Sequence, residues 1–423
     1  MGAIRLSRTG SALKGTIKLN GSKSISNRAL IALALAKANS DDWLSNLSDS
    51  SDTRVLSDLL SQDGNTYDAG DAGTSFRFLT AFLAIQPGTQ ILTGSARMHE
   101  RPIGPLVTAL RDLGANIEYL DKEGYPPLKI GEQGDFLRFG NRVNLPANIS
   151  SQFLSALLLI APYLPNGIEI VPEGKLVSEP YLDMTIKLMQ HFGVEVVRVG
   201  NTFKVNPGGY TPRQLHIESD WSAASYWYAV GALSDELDLI LEGLHKDSWQ
   251  GDSALPALMK RFGIHSKFEG QMLHLRKSGE PHRKFLEYDF TGNPDLAQTM
   301  AVVCAGTGTM GLFSGLETLS IKETNRIAAL KTELKKCGVS FIKLPAHMNK
   351  RSPDKIFYQV QGKASWEGVL RIATHGDHRM AMAFAPLAIL GDVEIENPEV
   401  VKKSYPDFWE DMARLGFGIS EIS

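Results

Sequence analysis

The chain has 423 residues, 43% hydrophobic and 22% charged, the balance of a globular protein long enough for about two to four domains. A net charge of −3 excludes a global electrostatic grip on nucleic acid or an anionic membrane, so any anion site has to be assembled locally. Two cysteines, Cys304 and Cys337, rule out a disulfide scaffold. Met1-Gly-Ala-Ile-Arg lacks a secretory apolar region, and no run is apolar enough to span a bilayer, so the expected location is cytoplasmic.

Leu19-Asn-Gly-Ser-Lys-Ser-Ile-Ser-Asn-Arg28 is the first informative stretch, and it runs into an Ala/Leu-rich segment, Ala29 to Ala36. Gly21 permits a tight or left-handed turn, and Ser22 or Ser24 suits the cap of a helix start. Ser24 and Arg28, four apart, share a face of that helix. Helix N–H groups, hydroxyls, Lys23 and Arg28 together suit a phosphate. The spacing of Gly15, Gly21 and Lys23 does not match a Walker A loop.

The same arrangement recurs down the chain. Asp71-Ala-Gly-Thr-Ser-Phe-Arg77 precedes Phe78–Ala84, and Ser150-Ser-Gln152 precedes Phe153–Ile160. Ser219-Asp-Trp-Ser222 precedes Ala223–Val230, Asn293-Pro-Asp295 precedes Leu296–Val303, and Gly376-Asp-His-Arg379 precedes Met380–Ile389. Each predicts a core helix, apolar on nearly every face, with polar groups at its N-terminus. Between them lie amphipathic segments closing on Gly64, Gly114, Gly193, Gly263, Gly338 and Gly416, glycines 50 to 79 residues apart. Glycine is the usual helix stop, and a β-like run usually follows each. This is a weak repeat of six βαβα-type units. It predicts an α/β (α+β) protein of two similar halves with three units each: residues 21–219, and residues 1–20 with 220–423. If the core helices of each half aim their N-termini at one cleft, their dipoles and polar groups converge there.

Three further clusters carry charge: Arg97-Met-His-Glu-Arg101 before a helix, Lys322-Glu-Thr-Asn-Arg326, and Lys402-Lys403. Lys322 and Arg326 on one helical face would repel unless an anion lay between them. Gly306-x-Gly308-x-x-Gly311 follows a helix and precedes a strand, the reverse of a dinucleotide site. His375 and His378 have no third metal ligand at a recognisable spacing, so no metal is expected. Tyr226-Trp-Tyr228 reads as core.

In this order the blocks Asn20–Arg28, Ala72-Gly-Thr74, Arg101-Pro-Ile-Gly104, Ser150-Ser-Gln-Phe153, Lys322-Glu-Thr-x-Arg326 and Asp377-His-Arg-Met-Ala-Met382 resemble the 5-enolpyruvylshikimate-3-phosphate (EPSP) synthase family. The resemblance covers nearly the whole chain. It implies the enolpyruvyl transferase fold, two pseudo-threefold domains closing on substrates in a cleft, and no cofactor. By motif, shikimate-3-phosphate would meet Lys23, Ser24, Arg28, Ser150, Ser151, Gln152, Ser178, Asp295 and Lys322. Phosphoenolpyruvate would meet Lys23, Gly73, Arg101, Gln152, Arg326, Arg379 and Lys403. Departures from the family pattern are Asp71 for Asn, Phe78 for Pro, Asn325 for Asp, and Thr318 and Ser320 near an expected Asn and Arg.

The implied reaction protonates the CH2 of phosphoenolpyruvate, adds the 5-hydroxyl of shikimate-3-phosphate to C2, and then expels phosphate with loss of a methyl proton. Asp295 is the candidate base for the hydroxyl. Glu323 and Lys403 are candidates for the carbon-centred transfers, and Lys23 for phosphate stabilisation. The partners are two small molecules, with no nucleic acid or membrane and a monomer expected. The rival enzyme on this fold is UDP-N-acetylglucosamine enolpyruvyl transferase, whose reactive loop cysteine has no counterpart in the contexts of Cys304 and Cys337. A non-catalytic anion- or RNA-binding protein is the rival of another class. It would have no use for Asp295, Glu323 and Lys403 among so many cations.

Overall fold

The computed structural model describes residues 2–422 apart from 9, 11, 132–135, 137–139, 147–149, 175, 279–283, 346 and 348–353. The chain forms two compact units, Gly21–Ile217 and Met1–Asn20 with Glu218–Ser423. Glu218 and Ser219, assigned to the first half on sequence, belong to the second unit. Glu218 accepts from Ser248 Oγ and the Trp249 N–H, and Ser219 Oγ donates to the Leu19 carbonyl at 2.6 Å.

Each unit is built on three buried helices that pack on one another. In Gly21–Ile217 they are Lys23–Leu35, Gly73–Ala84 and Ser151–Ile160. In the other unit they are Trp221–Leu233, Ala297–Thr307 and His378–Phe384. All thirteen residues of Trp221–Leu233 are buried, Tyr226, Trp227 and Tyr228 among them. Small Ala and Ser positions between large ones let such helices meet on every side. The last helix tightens into a 3-10 turn over Ala385–Ile389, where Pro386 has no N–H to donate.

The amphipathic helices lie between the buried ones. Five of the six glycines that end their segments are left-handed: Gly114, Gly193, Gly263, Gly338 and Gly416, with φ from 75° to 109°. Gly64 is the exception. Its helix, Ser51–Ser61, stops earlier because Gln62 turns to extended backbone.

Five four-stranded sheets share one pattern, a parallel pair extended by two antiparallel strands. Leu128–Ile130 and Ile117–Tyr119 extend the parallel pair Thr66–Asp68/Gln90–Thr93, for example, and Tyr358–Gln361 and Ser340–Lys343 extend Phe285–Asp289/Met310–Ser314. Among the described residues the sixth repeat has only its parallel pair, Leu44–Ser45 with Leu215–His216. The N-terminal strand Ala3–Ser7 completes the sheet of Leu370–Ile372, Val393–Glu396 and Gly418–Ile422. Among the described residues no helix is long and apolar enough to cross a membrane.

Candidate active site

In the unit Gly21–Ile217, helix Lys23–Leu35 begins at Lys23 itself. Ser22 stands at the cap position, but neither expected serine caps it: the Ser22 side chain makes no cap hydrogen bond, and its buried Oγ has no partner among the described residues. Gly21 is not left-handed either. It is required because the Asn46 carbonyl oxygen would lie 1.8 Å from an added Cβ. Lys23 Nζ lies 3.1 Å from Asp52 Oδ2, a carboxylate on the neighbouring Ser51–Ser61 helix, and both side chains are largely buried.

Arg28, expected to contact substrate, points inward and is 1% exposed. Its Nε donates to Thr185 Oγ1 at 2.7 Å, Nη1 to the Ser24 carbonyl at 2.8 Å, and Nη2 to Ser155 Oγ and the Tyr181 carbonyl at 3.3 Å. Burial pulls its pKa down to about 10, opposed by Tyr181. Phe78, the departure from Pro, is buried, and its ring lies 5.3 Å from this guanidinium. Arg28 therefore ties Lys23–Leu35 to Ser151–Ile160 and Glu179–His191.

Gly73 opens its helix with ordinary backbone, and the guanidinium of the buried Arg101 lies against its α-carbon. An added Cβ would stand 2.3 Å from Arg101 Nη1 and 2.8 Å from Nη2. Arg101 Nε has no partner among the described residues, whereas Arg97 is spent on an exposed pair with Glu100 at 2.6 Å. Arg77 Nη1 donates to the Gly73 carbonyl at 2.7 Å, and Asp71 accepts from Ser95 Oγ. Ser150 caps the next helix through the Gln152 N–H, and Gln152 Nε2 donates to Thr74 Oγ1 at 2.9 Å. The starts of two buried helices are thereby bonded together. Ser178 is held left-handed at φ 56°, a conformation costly for a residue with a Cβ.

In the other unit, one guanidinium organises the cluster. Arg326, 1% exposed, meets Asp377 at 2.7 Å, Glu323 at 2.8 Å and Asp295 at 3.0 Å. Burial alone would lower its pKa, but Asp377, Glu323 and Asp295 outweigh that and raise it. Asp295 spans two arginines, since its Oδ2 lies 2.9 Å from Arg379 Nη2. Asp377 is fully buried and caps its helix through the Arg379 N–H at 2.9 Å. The expected shared face of Lys322 and Arg326 is absent because the helix begins at Arg326 and Lys322 has extended backbone. Asn325 caps that helix through the Ala328 N–H, a role open equally to the family's Asp. Ser320 is exposed and bonds within its own turn, and Thr318 lies in the same 3-10 segment. Lys403 closes the 3-10 turn Pro398–Lys403, half-buried. Glu333, also fully buried, accepts from His375 Nε2, Lys336 Nζ and the Ala373 N–H, tying the segment before Asp377 to the Arg326 helix.

Burial pushes both thiols up, Cys337 to about 11 and Cys304 further, so neither is a ready thiolate. Gly306 packs on Leu233 inside a helix and Gly308 caps it, away from any dinucleotide geometry. Sequence reasoning passed over Asp52 and Asp252 as site groups. The first had a signal, an acidic residue in the first turn of a helix. Asp252 had none.

The chain has the enolpyruvyl transferase fold. A solved EPSP synthase from Acinetobacter baumannii superposes with a TM-score of 0.75 over 100% of both chains at 21% identity. The family model described as EPSP synthase (3-phosphoshikimate 1-carboxyvinyltransferase) matches residues 7–66 and 57–412. A 3-phosphoshikimate 1-carboxyvinyltransferase of Bacteroides fragilis is 44% identical over 97% of both chains, and one of Burkholderia lata is 36% identical over 96% of this chain and 97% of its own. The chain belongs to the EPSP synthase family.

Proposed function

We infer that the chain transfers the enolpyruvyl group of phosphoenolpyruvate to the 5-hydroxyl of shikimate-3-phosphate, releasing phosphate. Family membership supports the reaction, and the Asp295–Arg326–Arg379 cluster is the observation that carries the chemistry. Three carboxylates hold Arg326. The carboxylate and phosphate of phosphoenolpyruvate offer the arginines equivalent acceptors in bidentate geometry. As Arg326 and Arg379 turn to the substrate, Asp295 gives up ion-pair partners and becomes free to accept the proton of the attacking hydroxyl. Glu323 and Lys403 then serve the proton added to, and removed from, the substrate's CH2. Arg101 and Lys23 supply positive charge to the departing phosphate, and Gln152 joins them.

Shikimate-3-phosphate is assigned to Lys23, Ser24, Arg28, Ser150, Ser151, Gln152, Ser178, Asp295 and Lys322. Arg28 also fixes the Ser24 carbonyl. No step calls for a metal, because the C–O bond breaks rather than the P–O bond. We further infer a monomer working in the cytoplasm: one chain carries every assigned group, and both thiols are buried and free. Phosphate release from the two substrates together, and from neither alone, tests the reading. Release from phosphoenolpyruvate with UDP-N-acetylglucosamine would favour the rival transferase, and no release with either would favour a binding protein.

A further inference from the structure

Asp252 is a buried carboxylate that the reaction above does not use. It sits on the 3-10 turn Gly251–Ala254 and is 4% exposed. Its Oδ2 accepts from Ser222 Oγ at 2.5 Å, while its buried Oδ1 has no partner among the described residues. Ser222 Oγ is also the acceptor for Arg379 Nη2 at 3.5 Å. The turn itself is anchored: Gln250 Oε1 accepts from the Trp221 N–H at 3.0 Å, and its Nε2 donates to the Ser219 carbonyl at 2.8 Å. A relay therefore runs from Asp252 through Ser222 to Arg379.

We propose that Asp252 is a positioning residue for phosphoenolpyruvate: acting through Ser222, it draws the Arg379 guanidinium away from the substrate when it is ionised and releases it when it is protonated. The proposal rests on the assignment of Arg379 to phosphoenolpyruvate. Groups of four elements face Asp252. Asp220 and Ser222 stand at the start of Trp221–Leu233, Asp295 precedes Ala297–Thr307, Arg379 lies on His378–Phe384, and Tyr288 lies on Phe285–Asp289. Burial first, then Asp295 and Asp220, raise the Asp252 carboxyl to about 7, against Ser222 and Arg379, which lower it. The group therefore changes charge across neutral pH. An ionised Asp252 competes with the substrate's anions for one guanidinium, whereas a neutral one does not.

The test is the KM for phosphoenolpyruvate of wild type and Asp252→Asn from about pH 6 to about pH 9, with shikimate-3-phosphate saturating. Titration of the substrate's own phosphate is common to both proteins and cancels in the ratio of their KM values. That ratio, wild type over variant, should be near one at the acid end and rise about threefold or more at the alkaline end. The corresponding ratio for shikimate-3-phosphate should not change with pH. Ser222→Ala cuts the relay without touching the carboxyl and should give the same flattened profile, so it carries the test if Asp252→Asn does not fold. A ratio that is flat with pH, or a Ser222→Ala enzyme with the full wild-type pH response, overturns the proposal. Arg379→Lys separates the two readings. If it leaves the KM for phosphoenolpyruvate unchanged, the assignment of Arg379 fails and the proposal with it. If it raises that KM while the Asp252→Asn ratio stays flat, only the proposal fails.

Discussion

Gly73→Ala is the sharpest perturbation the structure offers. The backbone of Gly73 is not left-handed, and it is the first residue of its helix, so alanine fits the conformation and gains up to about 1 kcal/mol of helix propensity. The obstacle is a side chain. The new methyl would stand 2.3 Å from Arg101 Nη1 and 2.7 Å from its Cζ, where a relaxed contact is about 3.5 Å. The guanidinium must therefore retreat by roughly 1 Å. A displacement of that size loses or badly bends one charge-assisted hydrogen bond to substrate, about 1.5–3 kcal/mol, or about ten- to hundredfold in the KM for phosphoenolpyruvate. Melting temperature should move by less than about 2 °C, and the KM for shikimate-3-phosphate should change least. Because the methyl acts through Arg101, its effect should nearly vanish in an Arg101→Ala background. Additive losses in the double mutant, or equal weakening of both substrates with a large fall in melting temperature, would refute the reasoning.

Lys23→Met should abolish turnover with the circular dichroism spectrum intact, and near-normal kcat would contradict the role given to Lys23. Asp295→Asn should lower kcat by about 100-fold or more while calorimetry still detects shikimate-3-phosphate; lost binding with unchanged kcat would reverse that assignment. Arg28→Met removes four donated bonds, but Thr185 Oγ1 still bonds Ser155 Oγ and the Tyr181 carbonyl, so the urea midpoint should fall by the equivalent of about 1–3 kcal/mol; an unchanged midpoint would contradict an internal tie. The raised carboxyl of Asp252 favours the fold fully below its unfolded value near 4, and that advantage is lost as pH rises through about 7, up to roughly 4 kcal/mol. Asp252→Asn should therefore be more stable than wild type above neutral pH and lack that part of the slope, as thermal melts across the range would show.

What the sequence displayed well was whatever a short window contains. The buried helices announced themselves as polar starts followed by unbroken apolar runs, and five of the six glycine stops are the left-handed residues their position suggested. Gly64 misled because the chain had already left the helix at Gln62. What the sequence did not display at the site shares a cause. Ser24 and Arg28 do sit four apart on one helix, but the remaining Arg28 partners are Thr185, Ser155 and Tyr181, and nothing local reveals them. Lys322 and Arg326 were read as neighbours on a helix that in fact starts at Arg326, and the partners that fix Arg326 include Asp295 and Asp377. The link from Asp252 through Ser222 to Arg379 exists only after three helix starts have been brought together.

The central claim, transfer of an intact enolpyruvyl group with cleavage of the C–O bond, is tested most directly with phosphoenolpyruvate labelled with oxygen-18 in its bridging position. The enzyme is incubated with this substrate and shikimate-3-phosphate, and both products are weighed by mass spectrometry. The account predicts labelled phosphate together with an unlabelled enol ether of shikimate-3-phosphate. Unlabelled phosphate, or phosphate formed without that enol ether, would contradict it.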